Sequence, residues 1–130
     1  MHPFCKAVES GDMDAVTALL ADDVVFTSPA AFRPYPGKAI TDHILRSVTG
    51  VFKDFTYTRE ITNPDGRDHA FVFTATVSGK NVQGCDFIHF DENGKIDDIM
   101  VMVRPLSALQ ALAEAMGPHF EQTTLETAKK

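Results

Sequence analysis

Up to Phe52 apolar residues recur mostly at helical spacing, and after it the pattern changes period, so a helix-rich first part gives way to a run of strands before a final helix. Residues 2–9 read as a short helix closed by Ser10-Gly11. Asp12 is placed to cap a second helix, in which Met13, Val16, Leu19 and Leu20 share a face and which should end near Asp22-Asp23. Asp14 puts negative charge in its first turn, where the helix dipole favours it. Residues 24–28 are β-branched and aromatic and predict a strand. Residues 29–36 hold three prolines and predict an irregular crossing loop. Gly37 precedes a third helix with Ile40, Ile44, Val48 and Phe52 on one stripe and His43 beside it.

Residues 55–62, 69–77, 81–90 and 95–104 then read as strands. Asn63-Pro64-Asp65-Gly66, Ser78-Gly79-Lys80 and Glu92-Asn93-Gly94 link them with tight-turn chemistry, which predicts an antiparallel meander. Pro105 ends the last strand, and a final helix is expected over residues 107–116, stopped by Gly117-Pro118. Residues 121–130 are polar and are expected to form a flexible tail after one domain spanning residues 1–120. Helices that precede hairpin-linked strands indicate an α+β fold.

Composition narrows the function. With 130 residues the chain has the size of one domain, and 44% hydrophobic and 23% charged residues are ordinary for a soluble core-forming protein. The net charge of −6, with no basic cluster, argues against nucleic acid as a partner. No apolar run is long enough to cross a bilayer, and the first residues lack a secretory layout, so a cytoplasmic protein is expected. Cys5 and Cys85 lie far apart, lack metal-ligand spacing and read as small buried hydrophobes. Neither a metal nor a cofactor is expected.

Residues 9–26, opening on Glu9-Ser10-Gly11-Asp12 and closing on Ala21-Asp22-Asp23-Val24-Val25-Phe26, resemble the opening signature of nuclear transport factor 2-like proteins. Gly37 ahead of the third helix and Asp91-Glu92-Asn93-Gly94-Lys95-Ile96 before the last strand match it too. The resemblance extends over residues 4–116. That superfamily includes ketosteroid isomerases, SnoaL-like cyclases, scytalone dehydratase and limonene epoxide hydrolase, and one fold there serves many chemistries. The resemblance implies a cystatin-like cone, with helices packed on a strongly curved antiparallel sheet around a pocket. It also implies a homodimer through the outer sheet face. Alternation agrees: Ile99, Val101 and Val103 point one way on the last strand and Met100 and Met102 the other, so both faces need cover.

Ketosteroid isomerases, themselves a standard illustration of tuned carboxyl groups, use an aspartate base with a tyrosine and a neutral aspartic acid that hold the oxyanion. By the resemblance the tyrosine position falls on Phe4, the base on Ser28 and the neutral acid on Asp86. Only the last role survives, so that mechanism is not expected here. The Asp-Arg-Asp set of the epoxide hydrolases is also absent, because Gly84 stands at the arginine position.

Asp86 is the leading candidate. It interrupts a strand between Val82, Gly84, Ile88 and Phe90 on its own face, and burial there should keep it protonated. The alternative is a carboxylate satisfied by backbone N–H groups or a nearby arginine. His43, placed by the resemblance toward the pocket, is a candidate base, or else a space-filling histidine bonded to a core carbonyl. Ser28 is positioned to bond a ligand oxygen or simply to cap a turn. Phe4, Tyr35, Tyr57, Ile88, Ile99 and Val101 complete the expected ligand-binding set. Tyr57 and Arg59 alternate with Phe55 and Ile61 on their strand, Arg59 is a candidate to pair with Asp86 or to line the pocket, and which face turns inward is open. His89 alternates away from Asp86 toward the expected dimer face, and Phe71, Phe73 and Phe87 read as core. The expected function is binding of a small, planar, oxygenated hydrophobic molecule, with cofactor-independent isomerisation, cyclisation or dehydration as its chemistry. The alternative is a non-catalytic ligand-binding or dimeric assembly domain.

Overall fold

The computed structural model describes residues 1–128, with side chains placed through Gly117. Its elements run α1 (Pro3–Ser10), α2 (Met13–Leu19), β1 (Leu20–Thr27), β2 (Tyr35–Pro36), α3 (Lys38–Val51), β3 (Lys53–Thr62), β4 (Asp68–Val77), β5 (Lys80–Phe90), β6 (Ile96–Arg104) and α4 (Leu106–Ala128). The six strands form one sheet in the order β2-β1-β6-β5-β4-β3. β3 to β6 make the expected antiparallel meander, and β1 joins it parallel to β6. No helix among the described residues is long and apolar enough to cross a membrane.

Local chemistry accounts for the helix ends. His2 caps α1 by accepting the Phe4 N–H at its Nδ1 (3.0 Å), and Gly11 closes that helix in the left-handed region at φ +78°. Asp12 caps α2 by accepting the Ala15 N–H (3.2 Å). The other end of α2 is held from a distance, since Lys95 Nζ donates to the Ala18 carbonyl at 2.8 Å.

Three boundaries differ from expectation. α2 stops at Leu19 instead of Asp22-Asp23, because Leu20 already pairs with Ile96 of β6. The register of β1 shifts between Leu20 and Val25, and this irregularity leaves Asp22 and Asp23 in solvent while Leu20, Ala21 and Val24 stay buried. The proline loop contains β2, in which Tyr35 and Pro36 pair with Phe26 and Val25. α4 continues past Gly117-Pro118, so the one backbone bond that a proline removes does not end it. The expected flexible tail therefore falls largely within this helix, and residues 129–130 lie outside the described residues.

One face of the sheet meets the helices. Phe71 and Phe73 of β4, Val82 and Ile88 of β5 and Ile99 of β6 are buried there with Phe4, Val16 and Ile44 from the first three helices. The opposite face carries half-buried and exposed side chains, among them Val72, Cys85, Met100 and Met102. Phe87 is therefore not core: it lies one residue from Asp86 on β5, points outward and is 37% exposed.

Candidate functional site

Between the helices and the inner sheet face lies a cavity of about 70 Å³. Its walls are almost wholly apolar, and among the described residues Tyr57 and Asp86 are the two titratable ones that line it. Strict alternation along β5 brings Asp86 inward between Gly84 and Ile88. Tyr57 arrives by a less regular route. Tyr57 pairs with Phe73 and Arg59 with Val72, so β3 carries one extra residue, Thr58, at that point. This bulge reverses the alternation: Tyr57 is buried inside and Arg59 is exposed. The free Tyr57 N–H is taken up by Glu9 Oε2 of α1 at 3.1 Å.

Tyr57 and Asp86 then meet across two strands. The phenol donates to Asp86 Oδ2 at 2.7 Å in buried surroundings. Burial pushes the Asp86 carboxyl up to about 7, against a smaller lowering by the Tyr57 hydrogen bond. Burial and the neighbouring Asp86 together hold the phenol well above its ordinary range. Near neutral pH, then, Asp86 is divided between acid and carboxylate, while Tyr57 keeps its proton. Such a pair can present a donor to a ligand oxygen or accept a proton from a ligand carbon.

The structure brings together Phe4, Ser28, Tyr57, Asp86, Ile99 and Val101, all of which line the cavity. Ser28 Oγ accepts the Ala30 N–H at 3.1 Å, so it caps its turn while facing the cavity. Ile88 is buried in the core without lining the cavity, and neither His43 nor Tyr35 lines it. His43 lies off the α3 stripe that does, formed by Ile44, Leu45 and Val48. Arg59 is not available to Asp86, because the bulge turns it to the other face.

Sequence reasoning missed the aromatic wall. Phe73 and Phe55 stack at 4.6 Å and 24°, Phe52 abuts both at 5.6 Å, and Tyr57 meets Phe55 edge-on at 4.9 Å. Their cue was the run of aromatics at positions 52, 55 and 57, whose facing depends on the irregular start of β3. Glu9 was missed as well, since its partner lies 48 residues away. Among the described residues no group of three or more His, Cys, Asp or Glu could hold a metal ion.

A curled sheet closed by helices over a polar-tipped apolar cavity defines a cystatin-like cone of the nuclear transport factor 2-like type. Within it, the profile of the SnoaL-like domain matches residues 2–99, and the chain belongs to that family. Among solved structures it is similar to a steroid delta-isomerase from Pseudomonas aeruginosa, at 40% identity and TM-score 0.85, covering 92% of this chain and 88% of that one. A bacterial protein with a cystatin-like fold from Silicibacter pomeroyi is similar at 32% identity and TM-score 0.84, covering 90% of this chain and 82% of that one. SalBIII, an epoxide hydrolase/cyclase-like enzyme of pyran ring formation in salinomycin, shares the fold at 18% identity and TM-score 0.65, with 81% and 87% coverage. No functionally curated protein matches the chain.

Proposed function

We propose that this protein binds a small apolar molecule bearing one carbonyl or enolic oxygen and moves a proton at that end, as an isomerase, cyclase or dehydratase would. The buried Tyr57–Asp86 pair in an otherwise apolar cavity carries this reading. As carboxylate, Asp86 accepts a proton from carbon next to the carbonyl. As acid, it returns that proton to another atom of the same molecule, so nothing is consumed. Tyr57 holds one carboxyl oxygen, Oδ2, and the other is the one assigned to the ligand in this reading. The similarity to a steroid delta-isomerase supports chemistry beside a carbonyl. Phe4 and Ser28, which stand where the isomerase resemblance expects tyrosine and base, place both acid and base duty on Asp86.

The test is a screen of planar phenols and enones by thermal shift, followed by turnover of any enone that binds. Asp86→Asn keeps the shape and the Tyr57 contact but should cost about 100-fold or more in turnover. Unchanged turnover by that variant would remove the enzyme reading.

A second copy of this chain is the partner we propose for the outer sheet face. Pairing aligns Met100, Phe87, Ala70 and Ile61 in one row and Met102, Cys85 and Val72 in the next. Ile61 and Met102 are each 52% exposed. Asp68, His89 and Asp98 form the row at one end of this band and Arg104 lies toward the other, with Arg59 continuing the Met102 row. Sedimentation should show a dimer that Met102→Asp converts to a folded monomer. A wild-type monomer at micromolar concentration would remove this proposal.

A further inference from the structure

The cavity is too small for the ligand its chemistry calls for. Its roughly 70 Å³ is about half the ~150 Å³ that accommodates a single benzene ring. The shortfall has an identifiable occupant. The Phe73 ring packs against Gly84, so close that a Cβ on Gly84 would sit 2.2 Å from it. The absent side chain of that glycine leaves room for Phe73, which forms a floor of the cavity that Asp86 also lines. On this floor, at stacking distance, rests Phe55.

Phe55 is less buried than Tyr57 and Phe73, two of the rings it meets. It is half-buried, whereas Phe73 is 1% exposed. Lys53 pairs with Thr76 and Thr56 with Thr74, so Asp54 and Phe55 together face the single residue Ala75. Within this second bulge Asp54 sits at φ +52°, a region that non-glycine residues seldom adopt. The ring is therefore attached to the least regular part of β3, next to a residue under backbone strain.

We propose that Phe55 is a placeholder for the ring of the ligand. A planar ring displaces it from Phe73, stacks in its stead and reaches the Tyr57–Asp86 pair with its oxygen. The position suits this, because the Phe55 ring centre lies 4.9 Å from that of Tyr57. The occupant is accordingly a flat, single- or two-ring molecule with a hydroxyl or carbonyl on its edge. This inference rests on the ligand-binding reading of the Tyr57–Asp86 site.

The experiment measures dissociation constants of phenol and 2-naphthol for wild type, Phe55→Ala and Phe55→Leu, with the fold of each checked by circular dichroism. Removing the placeholder removes the cost of displacing it, so Phe55→Ala should bind 2-naphthol about fivefold more tightly, the factor to which aromatic stacking of about 1 kcal/mol corresponds. Phe55→Leu, which keeps more of the packing, should fall between. Folded variants that bind no more tightly than a wild type whose binding is weakened by Asp86→Asn would overturn the placeholder alone, and wild-type binding that Asp86→Asn leaves unchanged would overturn the site reading and the placeholder with it. Absence of binding to wild type and both variants would overturn the site reading and the placeholder together.

Discussion

Asp86 and His89 lie three residues apart on β5, point to opposite faces of the sheet, and are both driven to hold a proton for opposite reasons. Inside, burial penalises the charged carboxylate, so the proton keeps Asp86 neutral. Outside, Asp97 accepts from His89 Nδ1 at 2.6 Å and favours the charged imidazolium, so the proton makes His89 a cation. The inner face thus stores an acid that can be discharged at neutral pH. The outer face stores an ion pair that water largely screens.

The largest effect is expected from Asp86→Asn. The folded carboxyl titrates near 7 against 3.8 in an ordinary setting, so the unfolded chain loses this proton first. The contribution of Asp86 to stability is then greatest below pH 4 and falls as pH rises toward 7. At about 1.36 kcal/mol per pH unit, the interval from 3.8 to about 7 amounts to up to about 4 kcal/mol. Denaturant titrations should show Asp86→Asn more stable than wild type by that much above pH 7, and equal to it near pH 4. A constant difference across this range would contradict the assignment.

Gly84→Ala should come next, because its methyl would sit 2.2 Å from the Phe73 ring and 2.9 Å from the Met102 carbonyl. Overpacking of this kind costs about 1–3 kcal/mol, read as a lower denaturation midpoint, and it lifts the floor of the cavity. Glu9→Ala leaves the Tyr57 N–H of the bulge without its acceptor and should cost about 1 kcal/mol. Glu9→Gln, which keeps an acceptor oxygen, should recover most of that loss.

The smallest effect belongs to the outer face. Asp97→Asn should bring the titration of His89, followed by NMR, down toward its ordinary value. The pair is present below pH 6.5 and is lost as pH rises through the elevated folded value. Because it is substantially exposed, its removal should change stability by less than about 1 kcal/mol.

Much of this architecture was legible along the chain. Hydrophobic period separated helices from strands, turn residues placed the hairpins, and Asp12 and Gly11 marked helix ends, because each of these depends on neighbours within a few residues. Alternation alone put Asp86 on the buried side of β5, since its flanking residues at even spacing are all apolar. Tertiary structure decided the rest. Two bulges in β3 choose which aromatics enter the cavity, and one extra residue there sends Tyr57 inward and Arg59 outward. Pairing with β6 moves the start of β1 back to Leu20, and the setting of α3 presents Ile44 to the cavity in place of His43. The physical reason is common to all of these. A side chain's face within one element follows from local period, but a single-residue slip reverses it, and only the partner strand or helix, distant in sequence, determines whether that slip occurs.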